Sequence, residues 1–124
     1  MADERLYTVD EADAVLPDLR ERLTRIRDAR QVILRRAELV REKVVADVGG
    51  ADPGPEYREA SATLRIELER LSAESILLRD PETGLVDFPA EREGERVYLC
   101  WRLGEDRVAN WHQLDTGFGG RRPL

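Results

Sequence analysis

The only cysteine, Cys100, and the only histidine, His112, lie in the last forty residues of the chain, together with both tryptophans, Trp101 and Trp111, and most of the glycines. A thiolate and an imidazole are the donors that zinc and iron take most readily, and Asp87, Glu105 and Asp115 are the carboxylates able to complete a Cys-His-carboxylate set. The first metal candidate is therefore Cys100, His112 and Asp87, with zinc or iron as the ion. The same residues read differently as a nucleophile, His112 activating Cys100 while Asp87 or Asn110 orients the ring, and that chemistry requires an exposed thiol of lowered pKa. A plainer reading competes with both. The spacing matches no established zinc pattern, and a single cysteine is most often a small buried hydrophobe and a single histidine a hydrogen-bonded structural group. The tail Gly119-Gly120-Arg121-Arg122 suggests a nest of backbone amides for an anion, gripped by Arg121. Trp101 and Trp111 suggest either a stacking platform or core.

The elements that must position these residues follow from the rest of the 124-residue chain, which reads as one domain, helical over 8–80 and a small sheet with a Gly/Arg tail over 81–124. Thr8-Val9-Asp10-Glu11 is a capping box that starts a helix. Pro17 predicts a break near Leu16, hence a short first helix and a long second one. In the latter, Leu19, Ile26, Ile33 and Val40 recur every seven residues, with Leu23, Ala37 and Val44 beside them, a coiled-coil-like stripe interrupted by Arg30. Gly49 to Pro55 is dense in helix breakers and reads as a turn. A third helix is expected from about Pro55 to Arg79, carrying Tyr57, Leu64, Leu71 and Leu78 at the same interval. The segment Arg20 to Lys43 is basic and Glu56 to Asp80 acidic, so the two long helices are expected to fold back antiparallel. Setting Val44 near Tyr57 puts Arg30 beside Glu67 and Glu74 as its salt-bridge partners.

Strand patterns occur only toward the C-terminus. Asp80 to Gly84 is a turn, Leu85 to Phe88 a strand stopped by Pro89, Val97 to Arg102 the strongest strand, and Arg107 to His112 a third, giving a three-stranded antiparallel meander. If the last hairpin has an odd-numbered loop, Val97, Leu99, Trp101, Ala109 and Trp111 share an apolar face, and Tyr98, Cys100, Arg102, Asn110 and His112 share the other. The fold class is α+β: an antiparallel helical hairpin, a short N-terminal helix and a small sheet.

Gly84-Leu85-Val86-Asp87-Phe88-Pro89, Val97 to Glu105, Trp111-His112 and Gly117-Phe118-Gly119-Gly120-Arg121 resemble the signature of the bacterial family catalogued as domain of unknown function 2203, and the opening from Thr8 to Pro17 is also similar to it. The resemblance spans nearly the whole chain and carries over no catalytic residue.

Charge and composition limit the function. A net charge of −6 argues against general nucleic-acid affinity. No apolar run approaches membrane-spanning length, and the acidic start Asp3-Glu4 is followed by no apolar signal region, so the expected location is the cytoplasm. Seven-residue apolar repeats on helices too long for the small sheet to cover predict a homodimer, and Ile33→Asp is expected to dissociate or unfold it. The sequence therefore favours a non-enzymatic oligomerisation or protein-interaction module, with Tyr98, Trp101, Trp111, His112 and Arg121 as a recognition surface. The alternative is a small metal- or anion-binding protein or enzyme built on Cys100, His112 and Asp87.

Overall fold

A computed structural model of the chain describes residues 4–45 and 54–124. The expected turn at Gly49 to Pro53 lies outside the described residues, as do the side chains of Val40 and Val44. The fold is α+β, with two helices, α1 (Val9–Val45) and α2 (Pro55–Ala73), followed by strands β1 (Leu77–Asp80), β2 (Leu85–Arg92), β3 (Glu95–Arg102), β4 (Asn110–His112) and β5 (Arg122–Pro123). The strands form one antiparallel sheet in chain order. Among the described residues no helix is long and apolar enough to cross a membrane.

The capping box forms: the Thr8 amide donates to Glu11 Oε1 at 2.9 Å and the Glu11 amide to Thr8 Oγ1 at 3.1 Å. Pro17, however, does not divide the helix. It sits exposed inside α1, and the expected short and long helices are one. Its immediate neighbour Leu16, with Ala12, Leu19, Leu23 and Ile26, is buried in the core against Val86, Phe88, Leu99 and Trp101 of the sheet. Burying a leucine stabilises by about 1.5–3 kcal/mol, so several such contacts outweigh the roughly 3 kcal/mol that an interior proline costs.

The sheet has five strands rather than three: the tail adds β5 beside β4, and β1 arises because α2 ends at Ala73 and not at Arg79. Ser75 turns left-handed (φ 61°), its amide bonding the Ser72 carbonyl and the Ile76 amide the Leu71 carbonyl. These are the paired bonds of a Schellman stop, and Leu71 and Ile76 are both buried, the apolar contact that accompanies it. Glycine usually marks this position, so a serine there leaves no sequence signal. The chain freed by that stop becomes β1.

Pro89 does not stop its strand either; β2 runs on to Arg92. A strand residue's N–H and C=O point the same way. The Pro89 carbonyl accepts from the Tyr7 amide at 2.7 Å, on the side away from β3, and β1 pairs no farther along β2 than Asp87. The missing N–H therefore falls where no neighbouring strand needs it. Glu93 (φ 53°) and Gly94 (φ 81°) make the two-residue turn into β3.

The hairpin closes in a different register from the expected one. Arg30 bonds Glu82 at 2.8 Å, and Arg22 instead faces Glu67 (3.1 Å) and Glu74 (2.8 Å). The partner of those carboxylates thus lies two helical turns earlier in α1. The sheet packs under the N-terminal half of α1 and fixes where α2 must arrive, a constraint that matching the helix ends leaves out.

Candidate functional site

Cross-strand pairing builds the site. Leu77, Asp87, Cys100, Asn110 and Pro123 form one row across the five strands, and Pro89, Tyr98 and His112 the next row on the same face. Residues two apart on a strand share a face, so Asp87, Cys100 and His112 emerge together on the face opposite α1. Tyr98 pairs with His112 and Leu99 with Trp111, which gives the expected partition of these residues into one apolar and one polar face.

All three side chains are buried, and their potential ligand atoms lie within 4.8 Å of one another. His112 Nε2 stands 2.9 Å from Asp87 Oδ1, and Nδ1 stands 2.6 Å from the Gln113 carbonyl. A carbonyl only accepts, so Nδ1 carries the hydrogen, and a single proton lies between Nε2 and the carboxylate. Asp87 Oδ2 accepts from Arg79 Nε at 2.8 Å, and the Arg79 guanidinium lies 5.1 Å over the Tyr98 ring. The segment after β4 folds over this face and leaves a cavity of about 280 Å3 lined by Arg79, Asp87, His112, Leu114, Asp115 and Phe118. Arg79 is a site residue, although helical periodicity places it at a helix end. Recognising it requires β1, which depends on the unmarked stop at Ser75.

Cys100 is no nucleophile in this state. Burial, reinforced by the charge of Asp87, pushes its thiol up to about 12, the side chain is fully enclosed, and both nitrogens of the only histidine are engaged elsewhere. What the arrangement can do is hold a cation. It offers a thiol, an imidazole and a carboxylate from three adjacent strands.

The other candidates separate from this centre. Trp101 is fully buried and donates its indole N–H to the Glu105 carbonyl, so it belongs to the core rather than to a recognition surface or stacking platform. Trp111 is half-buried, with Arg92 at 4.8 Å and Arg122 at 5.6 Å from its ring. Glu105 holds the turn after β3 by accepting from the Arg102 amide at 2.7 Å, and both its oxygens receive Arg121 Nη2, at 3.0 and 2.8 Å. Arg121 and Glu105 thus partner each other, anchor the covering segment from its far end, and act on the cluster only through their charges, the guanidinium lowering and the carboxylate raising the pKa of the Cys100 thiol. The tail forms no amide nest either: the Gly120 and Arg121 amides bond the Gly117 and Phe118 carbonyls inside a 3-10 turn. Asp115 lines the cavity, exposed to solvent.

A helical hairpin with a five-stranded antiparallel meander, bearing a buried carboxylate–imidazole–thiol cluster on the sheet face away from the helices, describes the class of molecule. Residues 5–124 match the model of a family described as an uncharacterized conserved protein, DUF2203, and the chain belongs to that family. No curated protein and no solved structure matches it.

Proposed function

We propose that the protein is a non-enzymatic oligomerisation module whose helical hairpin pairs with that of a second copy. One observation carries this reading: the apolar stripe of the hairpin continues past the end of the sheet that covers it. Eleven residues make three helical turns, so Leu34 and Ala37 lie on the same line of α1 as Leu23 and Ile26. Leu23 and Ile26 are buried under the sheet, whereas Leu34 is 46% exposed and Ala37 is open to solvent. On α2 the seven-residue line from buried Leu71 passes to half-buried Leu64 and Tyr57, with Leu68 exposed beside it.

A second copy is the occupant that suits this face. An antiparallel, two-fold pairing lays the basic Arg20 to Lys43 stretch of α1 in one copy along the slightly acidic α2 of the other, and the seven-residue spacing is that of a four-helix seam. A surface used twice must complement itself, and an apolar stripe that runs along both arms does so.

Light scattering and sedimentation test it. The expected mass is twice the 14.2 kDa of the chain, falling to one copy for Leu34→Glu. Leu34 is exposed in the single chain, so this substitution leaves the fold intact where Ile33→Asp, at a half-buried position, strikes both fold and pairing. A stable 14.2 kDa monomer across micromolar concentrations overturns the reading.

A further inference from the structure

We infer that Cys100 Sγ, His112 Nε2 and Asp87 Oδ1 form a three-ligand site for a thiophilic divalent cation, zinc first, with its remaining position turned toward the cavity beneath the segment that follows β4. This inference is independent of the hairpin and rests on the sheet alone.

The donors come from β2, β3 and β4, held in place by the pairing of Asp87 with Cys100 and of Tyr98 with His112. A site on paired strands is set by the backbone ladder and not by a mobile loop. Its ligand atoms, all within 4.8 Å of one another, need only side-chain adjustment to reach the separations of roughly 3–4 Å that ligands at 2.0–2.3 Å from a tetrahedral ion require.

Two of the three donors, His112 and Asp87, also have the outer partner that orients a ligand. His112 donates from Nδ1 to the Gln113 carbonyl, which fixes the tautomer and aims the Nε2 lone pair into the cluster, the arrangement found around ligating histidines. Asp87 gives its outer oxygen to Arg79 and keeps Oδ1 facing inward. The Nε2 lone pair and Oδ1 then confront each other at 2.9 Å, two acceptors in a buried place, and such a gap must be filled by something positive. A proton fills it in the metal-free protein. A metal ion replaces that proton and gains the thiolate as a third ligand.

The exchange balances. One M2+ enters; one proton leaves the Cys100 sulfur and one leaves the gap between His112 and Asp87, so two protons are released and the cluster's charge is unchanged. Thiolate, neutral imidazole and carboxylate together suit zinc, and the sulfur disfavours magnesium and calcium, which take oxygen ligands. Arg79 stays on the outer carboxylate oxygen. The fourth position opens on the cavity, whose walls Leu85, Leu114 and Phe118 are apolar.

The test uses the full chain, stripped with a chelator and then titrated with zinc chloride by calorimetry in two buffers of different ionisation heat. One equivalent bound, with about two protons released per ion, is expected. Cobalt(II) chloride supplies a second readout, since a thiolate ligand produces a near-ultraviolet charge-transfer band. Cys100→Ala preserves a small buried side chain and is expected to abolish the band and weaken zinc binding at least tenfold, with the circular dichroism unchanged. Failure of the wild-type protein to bind zinc at micromolar concentration overturns the site, and so does cobalt binding without the charge-transfer band, a result that needs no variant to fold. Zinc affinity that survives Cys100→Ala unchanged also overturns it.

Discussion

Replacing Arg22 with methionine is expected to destabilise the protein by about 3 kcal/mol. The Arg22 side chain is 2% exposed and faces three carboxylates: Glu67 at 3.1 Å, Glu74 at 2.8 Å and Asp18 at 3.5 Å. Asp18 is well exposed and returns to water without much loss, and the Glu74 side chain is 41% exposed although its Oε2 is buried, so the magnitude turns mostly on Glu67, whose side chain is 7% exposed. Removing one member of a buried pair costs about 3–5 kcal/mol, because the other charge is left desolvated. Glu67 keeps Arg70 at 3.2 Å and Arg25 at 3.5 Å, both about half exposed and screened, which places the loss at the lower end of that range. Methionine retains the volume of the arginine stem, so little of the change is cavity formation. Glu67→Leu is expected to cost about the same, whereas the double variant Arg22→Met/Glu67→Leu is expected within about 1 kcal/mol of wild type, since nothing buried is then unpaired. Equilibrium urea unfolding followed by circular dichroism, at one protein concentration so that assembly does not shift the midpoints, measures all four proteins. Single variants that each lose less than about 1 kcal/mol, or a double variant that loses the sum of both, would refute the argument that desolvation of Glu67 sets the cost.

Pro17→Ala is expected to stabilise by about 1–3 kcal/mol, because Pro17 is exposed and alanine restores the helical N–H, with the thermal midpoint as readout and any decrease as disproof. Thr8→Ala removes the cap, a loss of typically about 1 kcal/mol. The Thr8 amide and hydroxyl together hold the Glu11 carboxyl below the usual glutamate range, so this stabilisation is present at neutral pH and disappears as the pH falls through the lowered value. NMR titration should find Glu11 raised partway toward its ordinary value in Thr8→Ala, because the backbone amide of residue 8 still donates to it; a Glu11 curve identical in both proteins counts against the box. The Cys100 thiol, pushed up to about 12 by burial, is expected to resist a disulfide reagent at pH 8 until urea unfolds the chain, and rapid labelling of the native protein would contradict its enclosure.

The cluster itself was largely legible in the sequence. Alternation along Val97 to Arg102 and Arg107 to His112, with one apolar face to satisfy, favours the odd-numbered loop that puts Cys100 and His112 together, and Asp87 joins them through the neighbouring strand. Arg79 was hidden, since its membership depends on β1. The hairpin register was hidden as well, because Arg22 and Arg30 both lie near the seam and helical periodicity does not say which of them meets Glu67.

What the sequence determined by itself is what depends on neighbours a few residues apart: the Thr8 and Glu11 cap, the Asp80 turn, the faces of β3 and β4. The tertiary structure decided the cases where a local rule was overruled. Pro17 continues a helix because the leucines around it are buried, Pro89 continues a strand because its nitrogen faces a side without a partner strand, and Ser75 ends a helix because Leu71 and Ile76 meet in the core. For Pro17 and Ser75 the local cost is about 1–3 kcal/mol, and burial of distant apolar surface contributes more. A propensity sums over neighbours in sequence, whereas that burial is set by which surfaces meet, and the meeting is fixed only when the whole chain has folded.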